Sequence, residues 1–300
     1  MIWITANVDD KEYKEPFSKG KLSQSLKVVD IGIERAYEIA REIEEFLYNN
    51  NITELSNTEL EEIIINHLES IDENFVIRYK NWRMLRKSEK PLIILIGGAS
   101  GVGTSSMAFE LANKLKLKNI IGTDMIREVM RKTISKEVSP VIHKSSFDAY
   151  KSIRISSIMI DQVMEGFISH VEVVNVGVEA IIERSIKEGI SIIIEGVHIV
   201  PGFIHQNLLE GNNIIMFTLT VDDEELHKQR FYSRCKKPWV KRSLDVYMEN
   251  FDTIRKTQKF LVEQSKINDT RIINNVNINE TLDIMLNDIL EKFILEDYNH

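Results

Sequence analysis

The spacing of apolar residues changes character once along this chain, close to Leu92. Before that point, Ile2 to Val8 alternates like a half-buried strand, and VDDKEYKEPF reads as a hairpin with Asp9–Asp10 near its turn. Four helical patterns follow. One covers about residues 18–29, and a second sets Ile33, Tyr37, Ala40, Ile43 and Leu47 on one predicted face. TELEEIIINHLES and FVIRYKNWRMLRK supply the third and fourth. Pro16 and Pro91 are the prolines of this stretch, and the polar run Lys87–Pro91 reads as a linker. The chain therefore divides into residues 1–88, small and mostly helical, and residues 89–300.

From Leu92 onward, short apolar runs alternate with helical patterns. LIILIG, KNIIG, SIIIEG, NIIMFTLTV and RIINN predict five strands, with helices at about 105–116, 124–134, 152–188, 222–236, 243–265 and 279–295. That alternation predicts an α/β domain: a five-stranded parallel sheet flanked by helices, joined by right-handed crossovers. Ligands of such sheets bind beyond the carboxyl ends of the strands. The residues just past three of the predicted strands are all polar or glycine-rich, so they would meet in one crevice.

The first of these is a glycine-rich loop. G-x-x-x-x-G runs from Gly98 through Ala99, Ser100, Gly101 and Val102 to Gly103, and Thr104, Ser105 and Ser106 open the next helix. With Gly97 ahead of it, the loop suits a backbone that must turn its N–H groups onto phosphate oxygens, helped by the helix dipole. Ser105 stands where a hydroxyl coordinates Mg²⁺ in P-loops. Thr104, however, occupies the position of the usual lysine. A substitute cation is sought in HKQRFYSRCKKPWVKRS, after the fourth strand, where small-molecule kinases of this architecture carry a lid. It holds His227, Lys228, Arg230, Arg234, Lys236, Lys237, Lys241 and Arg242, and Arg230 and Arg234 share one helical face.

Past the second strand, Asp124 is placed to take a proton from an acceptor hydroxyl, with Arg127 and Arg131 to bind an anionic acceptor. An N-cap role is the competing reading of Asp124. Past the third, Glu195 ends an apolar strand, where packing gives no reason for a carboxylate, and is expected to orient a metal-bound water. His198 reads as structural.

A net charge of −8 disfavours a nucleic-acid partner. Cys235, the single cysteine, excludes an intrachain disulfide or a cysteine-based zinc site and fits a reducing compartment. No apolar run approaches the ~20 residues of a membrane span. The amino terminus lacks the pattern of a signal peptide, so a cytoplasmic location is expected.

The order IGGASGVGTSSMAFELANKL, IGTDMIREVMR, SPVIHKSSFDAYKS and IIIEGVHIVPG resembles the archaeal 2-phosphoglycerate kinase family over nearly the whole chain. EPFSKGKLSQSL, AYEIAREIEEFL and YKNWR resemble an ATP-cone, a small regulatory nucleotide-binding module. The resemblance implies ATP and a divalent cation, Mg²⁺, as cofactors. It implies transfer of the γ-phosphoryl group to the 3-hydroxyl of 2-phosphoglycerate, giving 2,3-bisphosphoglycerate, a precursor of the thermoprotectant cyclic 2,3-bisphosphoglycerate. It also brings in His143, Lys144, Ser145 and Ser146 as acceptor contacts, and treats threonine at the lysine position as a family trait. A nucleoside monophosphate kinase-like enzyme and a non-catalytic ATP sensor remain the alternatives, and the oligomeric state stays open.

Overall fold

The computed structural model describes residues 1–8, 11–26, 31–87, 90–152, 161–210, 213–236 and 243–297. The chain forms two compact units, Met1–Ser88 together with Leu290–His300, and Glu89–Ile289. The first unit thus takes in the chain's end, which its sequence pattern had not marked.

In the first unit, β1 (Trp3–Val8) pairs antiparallel with β2 (Lys11–Pro16). The pairing reaches Val8 and Lys11; Asp9 and Asp10 lie outside the described residues. A short β3 (Glu54–Ser56) joins β1 in parallel. Only Leu55 of its three residues is buried, so no alternation announces it in the sequence. Four helices follow the predicted pattern: α1 (Lys19–Leu26), α2 (Ile33–Asn49), α3 (Asn57–Glu69) and α4 (Glu73–Lys87).

The buried face of α2 is Ala36, Ile39, Ala40, Ile43 and Leu47, whereas Ile33 and Tyr37 are 69% and 51% exposed. The expected face was set wrongly at its amino-terminal end. Ala36 and Ala40 turn inward, where small side chains let Leu22 and Leu26 of α1 join the same core. Helix α3 opens on a reciprocal capping box: Glu59 N–H donates to Ser56 Oγ at 3.2 Å, and Ser56 N–H to Glu59 Oε2 at 2.7 Å. Such a cap is worth about 1 kcal/mol.

The second unit contains the parallel sheet β4 (Ile93–Gly98), β5 (Asn119–Gly122), β6 (Ile192–Gly196), β7 (Ile214–Thr220) and β8 (Arg271–Asn274). Their spatial order is β5-β6-β4-β7-β8, every neighbouring pair parallel. Strand β4 is wholly buried, as an apolar run covered on both faces must be. Its neighbours β6 and β7 run to opposite sides of it, so its carboxyl end is a switch point where a ligand crevice opens.

The helices of this unit are α5 (Thr104–Leu115), α6 (Thr123–Thr133), α7 (Gln162–Glu188), α8 (Gln206–Leu209), α9 (Glu224–Cys235), α10 (Leu244–Glu249), α11 (Phe251–Ile267) and the first part of α12 (Ile278–Asp297), whose residues from Leu290 belong to the first unit. Two predicted helices differ from this. The one expected from 152 begins at Gln162, capped by Asp161, after a 3-10 stretch at Ser146–Ser152; residues 153–160 lie outside the described part. The one expected over 243–265 is two helices. Asn250 breaks it, with φ −105° and ψ 11°, while its Nδ2 donates to Val246 O at 2.8 Å. Among the described residues no helix is long and apolar enough to cross a membrane.

The core between sheet and helices contains two fully buried histidines, His170 of α7 and His198 just past β6. Burial, reinforced by the Arg127 guanidinium, pushes His170 down to about 4. Burial and the neighbouring His170 hold His198 well below the usual imidazole range. Both are neutral in the folded protein and gain a proton more readily when unfolded. Their contribution to stability is therefore present above pH 6.5 and lost as pH falls from 6.5 through about 4. Urea titrations at pH 7, 5.5 and 4.5 should show unfolding free energy dropping by on the order of a few kcal/mol. The drop should be smaller in His198→Leu, and an equal drop in that variant would show that other groups cause the acid sensitivity.

Candidate active site

Only part of the glycine loop is a loop. Gly97 and Gly98 complete β4, and the turn proper spans Ala99 to Gly103. Gly101 (φ 90°) and Gly103 (φ 98°) have the positive φ that other residues resist. Space is equally tight: a Cβ on Gly101 would lie 2.6 Å from Phe231 Cζ, and one on Gly103 2.9 Å from Asn275 Nδ2.

The loop's carbonyls are held from outside. His227 Nε2 lies 2.8 Å from Ser100 O, and Arg230 Nη1 donates to Val102 O at 2.7 Å. Asn275 Nδ2 donates to the same Val102 O at 2.8 Å. Arg230 Nη2 donates to Asn275 O and, at 3.4 Å, to Val276 O. His227, Arg230 and Phe231 thus present one face of α9 to the loop. His227 and Phe231 stack at 5.4 Å, and Phe231 and Tyr247 at 4.5 Å.

This arrangement corrects the expected role of Arg230. Its guanidinium is committed to three backbone carbonyls, and burial lowers its pKa, so it braces the loop as a strut and is no free lid arm. His227, counted among the lid cations, is buried, its pKa lowered by that burial, and serves the same purpose. Arg234, one turn further along α9, is exposed, lies 5.7 Å over the Tyr247 ring and lines the cavity above the loop. Lys228 is held in an ion pair with Glu225 at 2.7 Å. Lys237, Lys241 and Arg242 lie outside the described residues, whereas Lys236 caps α9.

The cavity, about 550 Å³, is bounded by Gly101, Gly103 and Thr104–Ser106 on one side and by Arg230, Arg234, Asn275 and Val276 on the other. At its phosphate end, Thr104 Oγ1 donates to Glu195 Oε2 at 2.7 Å and Ser105 Oγ to Glu195 Oε1 at 2.8 Å. The lysine position is therefore occupied by a hydroxyl bonded to the carboxylate that ends β6. Burial raises the Glu195 pKa; the two hydroxyls oppose this, and the charge of Asp124 adds to it. The Ser105 hydroxyl and the Glu195 carboxylate are oxygen donors of the kind a hard divalent cation such as Mg²⁺ takes. No cluster of three or more His, Cys, Asp or Glu side chains with metal-holding geometry occurs among the described residues, so any such ion would lean on non-protein oxygens.

Asp124 lies within the first turn of α6, whose N-cap is Gly122 with no side-chain cap bond, so the N-cap reading is set aside. Its carboxylate is exposed and pairs with Arg127 Nε at 3.3 Å. Arg127 is half-buried and reaches across to another segment: Nη1 donates to Ile142 O at 3.1 Å and Lys144 O at 2.9 Å. Arg127 thus holds the expected acceptor segment from behind. Arg131 pairs with Glu128 at 3.0 Å, while its buried Nε has no partner. The ring of His143 turns away, with Nε2 2.9 Å from Ile134 O, which leaves the Lys144 side chain as the exposed cation of this stretch. Ser145 and Ser146 are half-buried beside it, at the start of the 3-10 stretch. Asn275 was missed by sequence reading; a lone Asn after a predicted strand carries no signal of what it will touch.

A family model described as an ATP cone domain matches residues 9–88. A 2-phosphoglycerate kinase of Methanothermobacter thermautotrophicus is 48% identical over 287 residues, covering 95% of this chain and 94% of that protein. Its counterpart in Methanopyrus kandleri is 44% identical, covering 96% and 88%. One from Pyrococcus horikoshii is 39% identical, covering 93% and 91%. With such identity along nearly its full length, the chain belongs to the 2-phosphoglycerate kinase family.

Proposed function

We propose that this protein transfers the γ-phosphoryl group of ATP to the 3-hydroxyl of 2-phosphoglycerate, yielding ADP and 2,3-bisphosphoglycerate. The observation that supports it most directly is the meeting of Thr104 and Ser105 with Glu195 at the mouth of the loop, in a chain of this family. Loop N–H groups and the amino end of α5 bind the phosphates. Ser105 and, through water, Glu195 would hold a Mg²⁺ ion, which when bound would supply charge neutralisation to the transferred group. Asp124 accepts the acceptor's proton, and Arg234 supplies the cation that Thr104 lacks. The 2,3-bisphosphoglycerate so formed feeds the synthesis of its cyclic form. Residues 1–88 act as a nucleotide-responsive regulatory unit; a second nucleotide-binding event in calorimetry, apart from that of the kinase site, is expected, and a single-site isotherm would remove this part.

The direct test is ADP formation from ATP and Mg²⁺ that requires 2-phosphoglycerate. Turnover with nucleoside monophosphates but not with 2-phosphoglycerate would overturn the reading. Ser105→Ala should lower turnover at least about tenfold with the fold retained. Wild-type turnover in that variant would remove Ser105 from the metal site.

The two arginines of α9 should separate. Arg234→Ala should cut kcat by a factor of about 10³, as for cations that meet charge in the transition state. Arg230→Ala should instead weaken ATP binding and lower the melting temperature, because it removes one of the two donors to the Val102 carbonyl and the bonds that tie the loop to Asn275 and Val276. A matching kcat loss without a stability change in Arg230→Ala would restore it to the chemistry.

On the acceptor side, Arg127→Lys keeps the charge but cannot both place a donor where Nη1 meets the Ile142 and Lys144 carbonyls and keep the Nε bond to Asp124. KM for 2-phosphoglycerate should rise about tenfold with that for ATP little changed. Equal effects on both substrates would show that Arg127 supports the unit as a whole.

A further inference from the structure

A buried chain of three side chains takes no part in phosphoryl transfer as described above. Thr123 Oγ1, in the first turn of α6, lies 2.7 Å from His198 Nδ1, and His198 Nε2 lies 3.0 Å from His170 Nδ1 on α7. Thr123 is 1% exposed and both histidines are fully buried, their rings 4.8 Å apart. All three side chains are buried, and apolar residues would occupy such positions at less cost in desolvation. What the polar chain adds is direction: each bond fixes one element against the next.

Both ends of the chain reach the site. At one end, Thr123 Oγ1 presses on Gly196, the residue after Glu195. Gly196 has φ 139°, and a Cβ there would overlap that oxygen. Gly122, immediately before Thr123, is as close to the carboxylate, since a Cβ on it would lie 2.9 Å from Glu195 Oε1. At the other end, the Arg127 guanidinium lies near enough to help lower the His170 pKa, while the buried His170 Nε2 has no hydrogen-bond partner. Arg127 in turn holds the carbonyls of Ile142 and Lys144. The chain therefore runs from beside Glu195 to the segment around residues 142–146, and it bypasses the glycine loop.

We infer that Thr123, His198 and His170 are positioning residues that set α6 and residues 141–146 at a fixed place relative to Glu195. Acceptor binding then depends on them and nucleotide binding does not. The assignment of these segments to the acceptor rests on the kinase reading above.

Thr123→Val removes one hydroxyl with little change of shape, and His170→Leu removes the far end. Each should raise KM for 2-phosphoglycerate about tenfold while KM for ATP moves less than about twofold, as expected when one buried hydrogen bond is lost from one side of a site. Thr123→Ser and His170→Asn keep a polar atom near the bonded position and should recover most of the loss. Parallel shifts in both KM values, no shift in variants whose melting temperature shows them folded, or no recovery in the conservative pair would each overturn the inference. Hydrogen exchange on the substrate-free full chain reads the same linkage without chemistry. Thr123→Val should speed exchange over 123–131 and 141–146 and leave 98–106 unchanged, and an unchanged or generally faster pattern counts against it. If wild-type protein forms no ADP with 2-phosphoglycerate, the kinase reading falls, and the exchange pattern alone decides whether these residues position the segment.

Discussion

A carboxylate at the end of an apolar strand must be held by something, and in this protein Glu195 is held by two hydroxyls from the first turn of α5. The pairing joins β6 to the glycine loop across the carboxyl end of the sheet, and the remaining functional geometry is arranged about it. The residue at the lysine position decides the electrostatics. A lysine there could neutralise Glu195 as an ion pair, whereas Thr104 donates a hydrogen bond and leaves the negative charge in place. Burial and the nearby Asp124 make that charge costly, which favours a site completed by a cation from outside the protein.

The loop is braced from α9 and from Asn275. The carbonyls of Ser100 and Val102, which directly precede the positive-φ residues Gly101 and Gly103, are engaged by His227, Arg230 and Asn275. With its carbonyls engaged behind, the loop can turn N–H groups toward an anion. The cost is that Arg230, close enough to line the cavity, is committed to bracing it. Arg234 is placed one turn beyond that contact face, and this difference of one turn separates a strut from a cation available to a ligand.

The acceptor side follows the same logic at greater depth. Arg127 spends its donors on Ile142, Lys144 and Asp124, and behind it the His170–His198–Thr123 chain ties α6 and α7 to the end of β6. Charged side chains here do their work by holding backbone, which leaves Asp124 and the Lys144 side chain exposed at the front.

Sequence by itself determined the elements and the place of the site. Five apolar runs became five parallel strands within a residue or two; the central β4 is apolar throughout because it is covered on both faces, whereas the edge strands β5 and β8 are partly exposed. Gly101 and Gly103 announced the phosphate loop because few residues other than glycine accept those dihedrals. Spacing could not say which neighbour each polar side chain would choose. Ile33 and Tyr37 fit the periodicity of α2 as well as Ala36 and Ile39 did, and only the packing against α1 selected between them. Arg230 and Arg234 lie on one face of one helix, yet one binds carbonyls and the other faces open space. Asn275 meets Val102 across 173 positions of chain. Helical and strand periods are local properties of a chain, whereas the partner of a hydrogen bond depends on which distant segments the fold brings to the same carbonyl.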